Sequence, residues 1–172
     1  MGLGAGSKGV EFGMPLHVLA LQPSLPKYRV PVFRELSSRA GIDLRVGYSQ
    51  VAEIPNATPD GFIACQANHR DLWFKQYSLV WQGAPKEYFR PDWCDCVIMN
   101  WNTRYLSMIP TMLEARSMQI PVVLWGHGFS KQKTRLRRWI RVQSAKLADA
   151  IVTYNHAAAD SLVREGIPRQ RV

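Results

Sequence analysis

The chain has 172 residues, enough for one domain with a true hydrophobic core. Hydrophobic residues make up 47% of it and charged residues 20%, which excludes wholesale disorder. The net charge of +9 points to an anionic partner, whether a phosphorylated ligand, a membrane surface or nucleic acid.

No apolar run approaches the ~18–20 residues needed to cross a bilayer, and the start lacks a signal-peptide pattern. Cys65, Cys94 and Cys96 are odd in number and fit no metal-ligand spacing, so they read as reduced thiols of a cytoplasmic protein. Residues 1–13 carry five glycines and little hydrophobic pattern, the mark of a flexible leader. Gly4 to Gly9 match G-x-G-x-x-G in letters, but no strand feeds that loop and the fingerprint carries no weight there.

From Met14 the pattern becomes regular. Leu16 to Leu21 is a short apolar run that predicts a buried strand, followed by a turn at Gln22-Pro23-Ser24-Leu25-Pro26. Val32, Phe33, Leu36 and Ala40 recur at helical spacing, with Gly41 as the stop. Asp43 to Tyr48 alternates like a second strand. Prolines 55, 59, 85 and 91 interrupt the stretch from 50 to 92, where only Tyr77 to Trp81 reads as a strand.

The second half predicts a strand at Cys94–Met99, a helix from about Tyr105 to Met118 with Pro110 either in its first turn or kinking it, and a strand at Pro121–Trp125. A basic helix follows at Lys131–Ala148, then a strand at Ala150–Thr153. Asn155 caps a last helix that Gly166 ends, and Ile167 to Val172 leads towards a further strand. This alternation implies an α/β chain: a Rossmann-like open, mainly parallel sheet with helices on both faces, spanning residues 14–172.

Ligands of such sheets bind beyond the carboxyl ends of the strands. Four crests qualify: Gln22–Arg29, Asn100–Thr103, Gly126-His127-Gly128 and Tyr154-Asn155-His156. Gly126 and Gly128 let backbone approach a ligand, and His127 between them can exchange a proton near neutral pH. The same residues also suit a simple turn and helix cap, as Asn100 and Asn102 do.

In the basic helix, Leu136, Trp139, Ile140, Gln143 and Leu147 follow i, i+3, i+4 spacing and predict the packed side. Lys133, Arg137, Arg141 and Ser144 then point to solvent, and Lys133, Arg137, Arg138 and Arg141 form a cationic surface suited to anionic lipid, since no acidic residue occurs between Glu114 and Asp149. Zinc-finger and RNP signatures are missing, which argues against nucleic acid. Walker A, G-x-S-x-G, H-E-x-x-H and Asp-x-Asp patterns are missing too, so no metal site is expected.

Three segments, in order, carry a resemblance: Leu21-Gln22-Pro23-Ser24-Leu25-Pro26-Lys27-Tyr28-Arg29, Pro121-Val122-Val123-Leu124-Trp125-Gly126-His127-Gly128, and Leu147-Ala148-Asp149-Ala150-Ile151-Val152-Thr153-Tyr154-Asn155. Together they resemble the N-terminal, acceptor-side domain of family 4 (group 1) glycosyltransferases of GT-B fold, over Pro15 to Val172. Such enzymes move a sugar from a nucleotide sugar to a glycan or lipid-linked acceptor with retained configuration, usually without metal.

The resemblance implies that His127 faces the transferred sugar as the catalytic residue. It also implies that Ser24, Lys27, Tyr28, Arg29, Asn100, Asn102, Gly126 and Gly128 shape the acceptor site. The diglycine common after the first strand is replaced here by Ser24-Leu25-Pro26-Lys27. The Glu-x7-Glu motif of the second, nucleotide-binding domain is not among these residues. The chain therefore reads as the acceptor half of a two-domain enzyme, inactive alone, with no cofactor beyond the donor sugar nucleotide. The competing reading is a non-catalytic Rossmann-like module held on the inner face of the membrane by its basic helix.

Overall fold

The structure, a computed structural model, describes residues 14–50, 55–74, 77–128 and 135–172. The glycine-rich stretch 1–13 and the cations Lys131 and Lys133 lie outside the described residues.

Six strands form one parallel sheet: β1 (Leu16–Gln22), β2 (Ile42–Tyr48), β3 (Ile63–Gln66), β6 (Cys96–Asn100), β7 (Val122–Gly126) and β8 (Ala150–Thr153), in the order β3-β2-β1-β6-β7-β8. Two more, β4 (His69–Phe74) and β5 (Tyr77–Gln82), pair antiparallel outside that sheet. The helices are α1 (Val30–Ser37), α2 (Met108–Ser117), α3 (Arg135–Leu147) and α4 (His156–Arg164).

β1 is buried along most of its length because both of its faces are covered, so its apolar run is continuous rather than alternating. Its side chains divide by parity. Val18 and Ala20 join Leu44 and Val46 of β2 under Val30 and Phe33 of α1. Leu19 and Leu21 face the other way, with Val97, Met99, Leu124 and Ile151, against Met108, Met112 and Ala115 of α2, Ala145 of α3 and Leu162 of α4. Each fully buried leucine contributes roughly 1.5–3 kcal/mol, so the two layers together hold the sheet as the sequence pattern anticipates.

Two aspartates set the register at the amino ends of the strands. Asp95 accepts a hydrogen bond from the His17 amide at 2.8 Å, while its own amide donates to the His17 carbonyl at 2.9 Å. Asp149 does the same with Val122, at 2.8 and 2.9 Å. Each acid locks an incoming strand to its neighbour, at the end of the sheet remote from the polar crests.

The expected helix ends are largely present. The Asn155 side chain accepts from the Ala158 amide at 2.8 Å. α4 closes with Gly166 at φ +86°, its amide on the Val163 carbonyl and that of Ile167 on Leu162. That geometry needs a left-handed residue and brings buried Ile167 against buried Leu162. Pro110 falls in the first turn of α2, where its missing N–H costs nothing. The carboxyl-terminal segment forms a short 3₁₀ turn at Arg169–Arg171 where the sequence predicts the approach to a strand.

The main departure lies in α3. Leu136 and Trp139, predicted to pack, are 65% and 60% exposed. Ser144, predicted to face solvent, is fully buried with Ala145. Arg141 also turns inward: it donates to the Trp101 carbonyl at 2.8 Å and its guanidinium lies 4.9 Å from the centre of the Trp101 ring. Burial lowers the Arg141 pKa, as desolvation of a cation must. The reason is steric. Trp101 fills the space between sheet and helix, so small residues must face it; its indole N–H donates to Ser144 Oγ at 2.9 Å. Arg137 and Arg138 remain on the surface, and Arg138 pairs with Glu165.

Candidate functional site

The strand order reverses direction between β1 and β6: successive strands run outward to β3 on one side and to β8 on the other. A crevice opens at such a switch point beyond the carboxyl ends. A cavity of about 230 Å³ occupies this place. Ser24, Tyr28, Arg29, Asn100, Asn102 and His127 all line it, from three different strand ends. Arg104 and Tyr105 complete one wall.

The loop after β1 is held from outside. The Leu25 amide donates to Asn56 Oδ1 at 2.7 Å, the Ala57 amide donates to the Leu25 carbonyl at 2.7 Å, and Asn56 Nδ2 reaches the Ser49 carbonyl. Gln82, from β5, donates through Nε2 to the Gln22 carbonyl at 2.6 Å and to Ser49 Oγ at 2.8 Å. Ser107 Oγ in turn accepts from the Gln82 amide. These bonds fix the position of Arg29 before any ligand arrives.

Arg29 is only 8% exposed. Its guanidinium donates to Gln22 Oε1 and, at 2.8 Å, to the Tyr154 hydroxyl, and lies 4.4 Å from the centre of the Trp125 ring. Tyr154 in turn stacks on His127, ring centres 4.2 Å apart and planes 26° from parallel. Burial raises the Tyr154 pKa against the opposing pull of Arg29, so the phenol stays protonated and keeps its own hydrogen to donate. His127 itself is exposed at the mouth of the crevice. The arrangement offers a positioned imidazole, two asparagine amides, a serine hydroxyl and two guanidinium groups to one small volume.

Three expected residues do not line this cavity. Lys27 is exposed beside it. Gly126 is required by packing: a Cβ there would sit 2.9 Å from Trp101 Cβ. Gly128, at φ +68°, would bring a Cβ to 3.0 Å from Ala158 Cβ. Asn102 caps no helix; its Oδ1 accepts from the Arg104 amide and shapes the turn before α2. Gln82 and Arg104 are not among the residues the sequence nominates, whereas Tyr154 belongs to the fourth crest and follows β8 at the level where His127 follows β7.

A larger cavity lies elsewhere. It measures about 660 Å³, runs along the β4–β5 hairpin and is lined by Asn68, His69, Arg70, Leu72, Trp81 and Gly83. It is a surface trough on two strands, without the convergence of several strand ends that marks the smaller cavity, and the smaller one is the better candidate.

No family model matches the chain, and no curated protein matches it either. Among solved structures, it is similar to the UDP-GlcNAc 2-epimerase from Methanocaldococcus jannaschii, with a TM-score of 0.55 and 16% identity. The match covers 92% of this chain and 44% of that one. The fold is Rossmann-like, of GT-B type. The chain spans less than half the length of that protein. Among the described residues, no helix of this GT-B-type domain is long and apolar enough to cross a membrane.

Proposed function

We propose that this chain holds the acceptor in sugar transfer, as the N-terminal half of a retaining family 4 glycosyltransferase. The observation that carries this reading is the convergence of Ser24, Tyr28, Arg29, Asn100, Asn102 and His127 on one cavity at the switch point. The ordered motifs around these residues and a GT-B-type fold like that of an enzyme named for a nucleotide sugar support it.

In this reading the asparagines and Ser24 orient acceptor hydroxyls, and Tyr28 covers them. His127 stands at the open side, braced by Tyr154, where a second domain would bring the donor. An imidazole there can exchange a proton with the reacting hydroxyl or balance charge that develops during transfer. The chain alone offers only one wall of that cleft.

The test is a transfer assay with the chain alone and fused to the nucleotide-sugar domain of a family 4 enzyme. The lone chain should not turn over; the fusion should, and His127→Ala should slow it ~10²–10⁴-fold with little change in folding stability. Turnover by the lone chain, or full activity of the His127→Ala fusion, would overturn the reading.

A second role is favoured by α3, where Leu136 and Trp139 stand exposed among Arg135, Arg137 and Arg138. Apolar side chains flanked by cations are what an anionic lipid surface binds. In this role the helix would bring the acceptor site to a lipid-linked substrate.

A further inference from the structure

We infer that the acceptor carries an oxyanion and that Arg29 receives it. The inference rests on the acceptor-binding reading above and names the substrate class of that site.

Arg29 is a buried cation without a counter-charge among the described residues. Its hydrogen-bond partners, Gln22 Oε1 and the Tyr154 hydroxyl, are both neutral, and no ion pair involves it among the described residues. Among the described residues, no aspartate or glutamate lines the cavity, while two arginines and a histidine do. Taking a charge out of water is costly unless it is paired, and an aromatic face and two neutral acceptors offset only part of that cost. A guanidinium has five N–H donors, and these two bonds use two of them. The rest suit the planar or tetrahedral oxygens of a carboxylate or phosphate, which guanidinium binds in a two-pronged manner.

Other arginines show the contrast. Arg34, Arg45 and Arg90 each meet a carboxylate, Asp60, Asp43 and Asp92 respectively. Arg141 also sits beside neutral groups, the Trp101 carbonyl and ring, but Arg29 differs from it in lining the crevice at the switch point. The carboxylate and the phosphate are two sources of the same chemistry, and the two are separable by titration.

The experiment is an NMR and calorimetric titration of the whole chain with sodium phosphate, sodium acetate and sodium chloride at matched ionic strength. The Trp125 indole resonance reports on Arg29, which stacks on it. Phosphate or acetate should shift that resonance saturably and chloride should not; the tighter of the two identifies the anion. Arg29→Met, which keeps the aliphatic stem, should weaken binding about tenfold or more. Arg104→Gln on the opposite wall should weaken it less, and serves if Arg29→Met does not fold. Glucose 6-phosphate, glucuronate and glucose then compare charged with neutral sugars.

No saturable shift with either oxyanion in the wild-type chain overturns the inference, as does equal binding of glucose and its charged counterparts. The acceptor reading fails separately. It would fall if phosphate bound at Arg29 while the two-domain fusion transferred sugar to no acceptor. A fusion that transfers to neutral acceptors, with no anion bound by the chain, would leave that reading standing and remove this one.

Discussion

Gly126 shows how tightly the crevice is built at single positions. Its missing side chain lets β7 end against Trp101, so Gly126→Ala must displace a buried indole that also holds Ser144 and stacks under Arg141. Overpacking of this kind costs roughly 1–3 kcal/mol, and urea denaturation should show a lower midpoint of about that size. A midpoint equal to wild type would mean that Trp101 can move freely. Cys94 offers a second check. Burial pushes its thiol up to about 11, and the side chain is 3% exposed. A thiol with a raised folded pKa stabilises the fold fully below its unfolded pKa, and that contribution is lost as pH climbs towards 11. Stability should therefore fall between about pH 9 and 11, and a Cys94→Ala variant should show a shallower fall. At pH 8, Cys94 should resist thiol reagents until the chain unfolds. His127, Asn100 and Tyr28 are legible in the sequence because each follows an apolar run that ends abruptly. Tyr154 is legible in the same way, at the end of the run before it, but Gln82 is not, since it reaches Gln22 across 60 positions and no local pattern records that.

At the scale of elements, α3 is the instructive case. Hydrophobic periodicity assigns its large apolar residues to the packed side, but close packing against Trp101 needs small ones, and Ser144, Ala145 and Ala148 supply them. Leu136 and Trp139 are left in water beside arginines, which makes the membrane role sharper in its apolar part and weaker in its charge, since Arg141 is withdrawn. Liposome cosedimentation should detect binding to vesicles rich in anionic lipid, falling with salt, at about 1 kcal/mol per cation near the surface. Leu136→Gln with Trp139→Gln should abolish it while changing folding stability within ~0.5 kcal/mol, as for ordinary surface sites. Equal binding to neutral vesicles, or none at low salt, would leave α3 an ordinary solvated helix. Of the hairpin, β5 is anticipated at Tyr77–Trp81, but β4 escapes the sequence reading for a different reason. His69–Phe74 is rich in charged and polar residues at its start, so it shows no buried run.

For the molecule as a whole, five of the six parallel strands were legible because buried strands read as unbroken apolar runs, and turns between them are marked by glycine and proline. The edge strand β3, half-exposed and without such a run, was not. Nor was the strand order, because β1 pairs not only with nearby β2, Leu16 against Ile42, but also with distant β6, Val18 against Cys96. That order is what places the crevice, since it puts the reversal beside Gln22 and Asn100 rather than at another pair of strand ends. The charge of +9 finds partial outlets in surface pairs such as Arg34 with Asp60 and Arg169 with Asp160. Exposed pairs like these are worth little, whereas the charge at Arg29 is buried and concentrated where a ligand would sit.

The hairpin deserves to be seen as a wall rather than an appendage. The Val80 amide donates to the Arg104 carbonyl at 2.9 Å, and the Leu106 amide donates back to the Val80 carbonyl at 2.9 Å. Val80 itself lines the cavity. The side of the pocket that carries Arg104 is thus stitched to an element that shares no strand pairing with the main sheet. Provided that Gln82 keeps its bonds to Gln22 and Ser49, the rest of its length and sequence can drift while the sheet keeps its register and His127 keeps its brace. Exchange of this one hairpin between related chains is then a route to new substrate preferences on an unchanged frame, a form of modularity that the sheet alone does not possess.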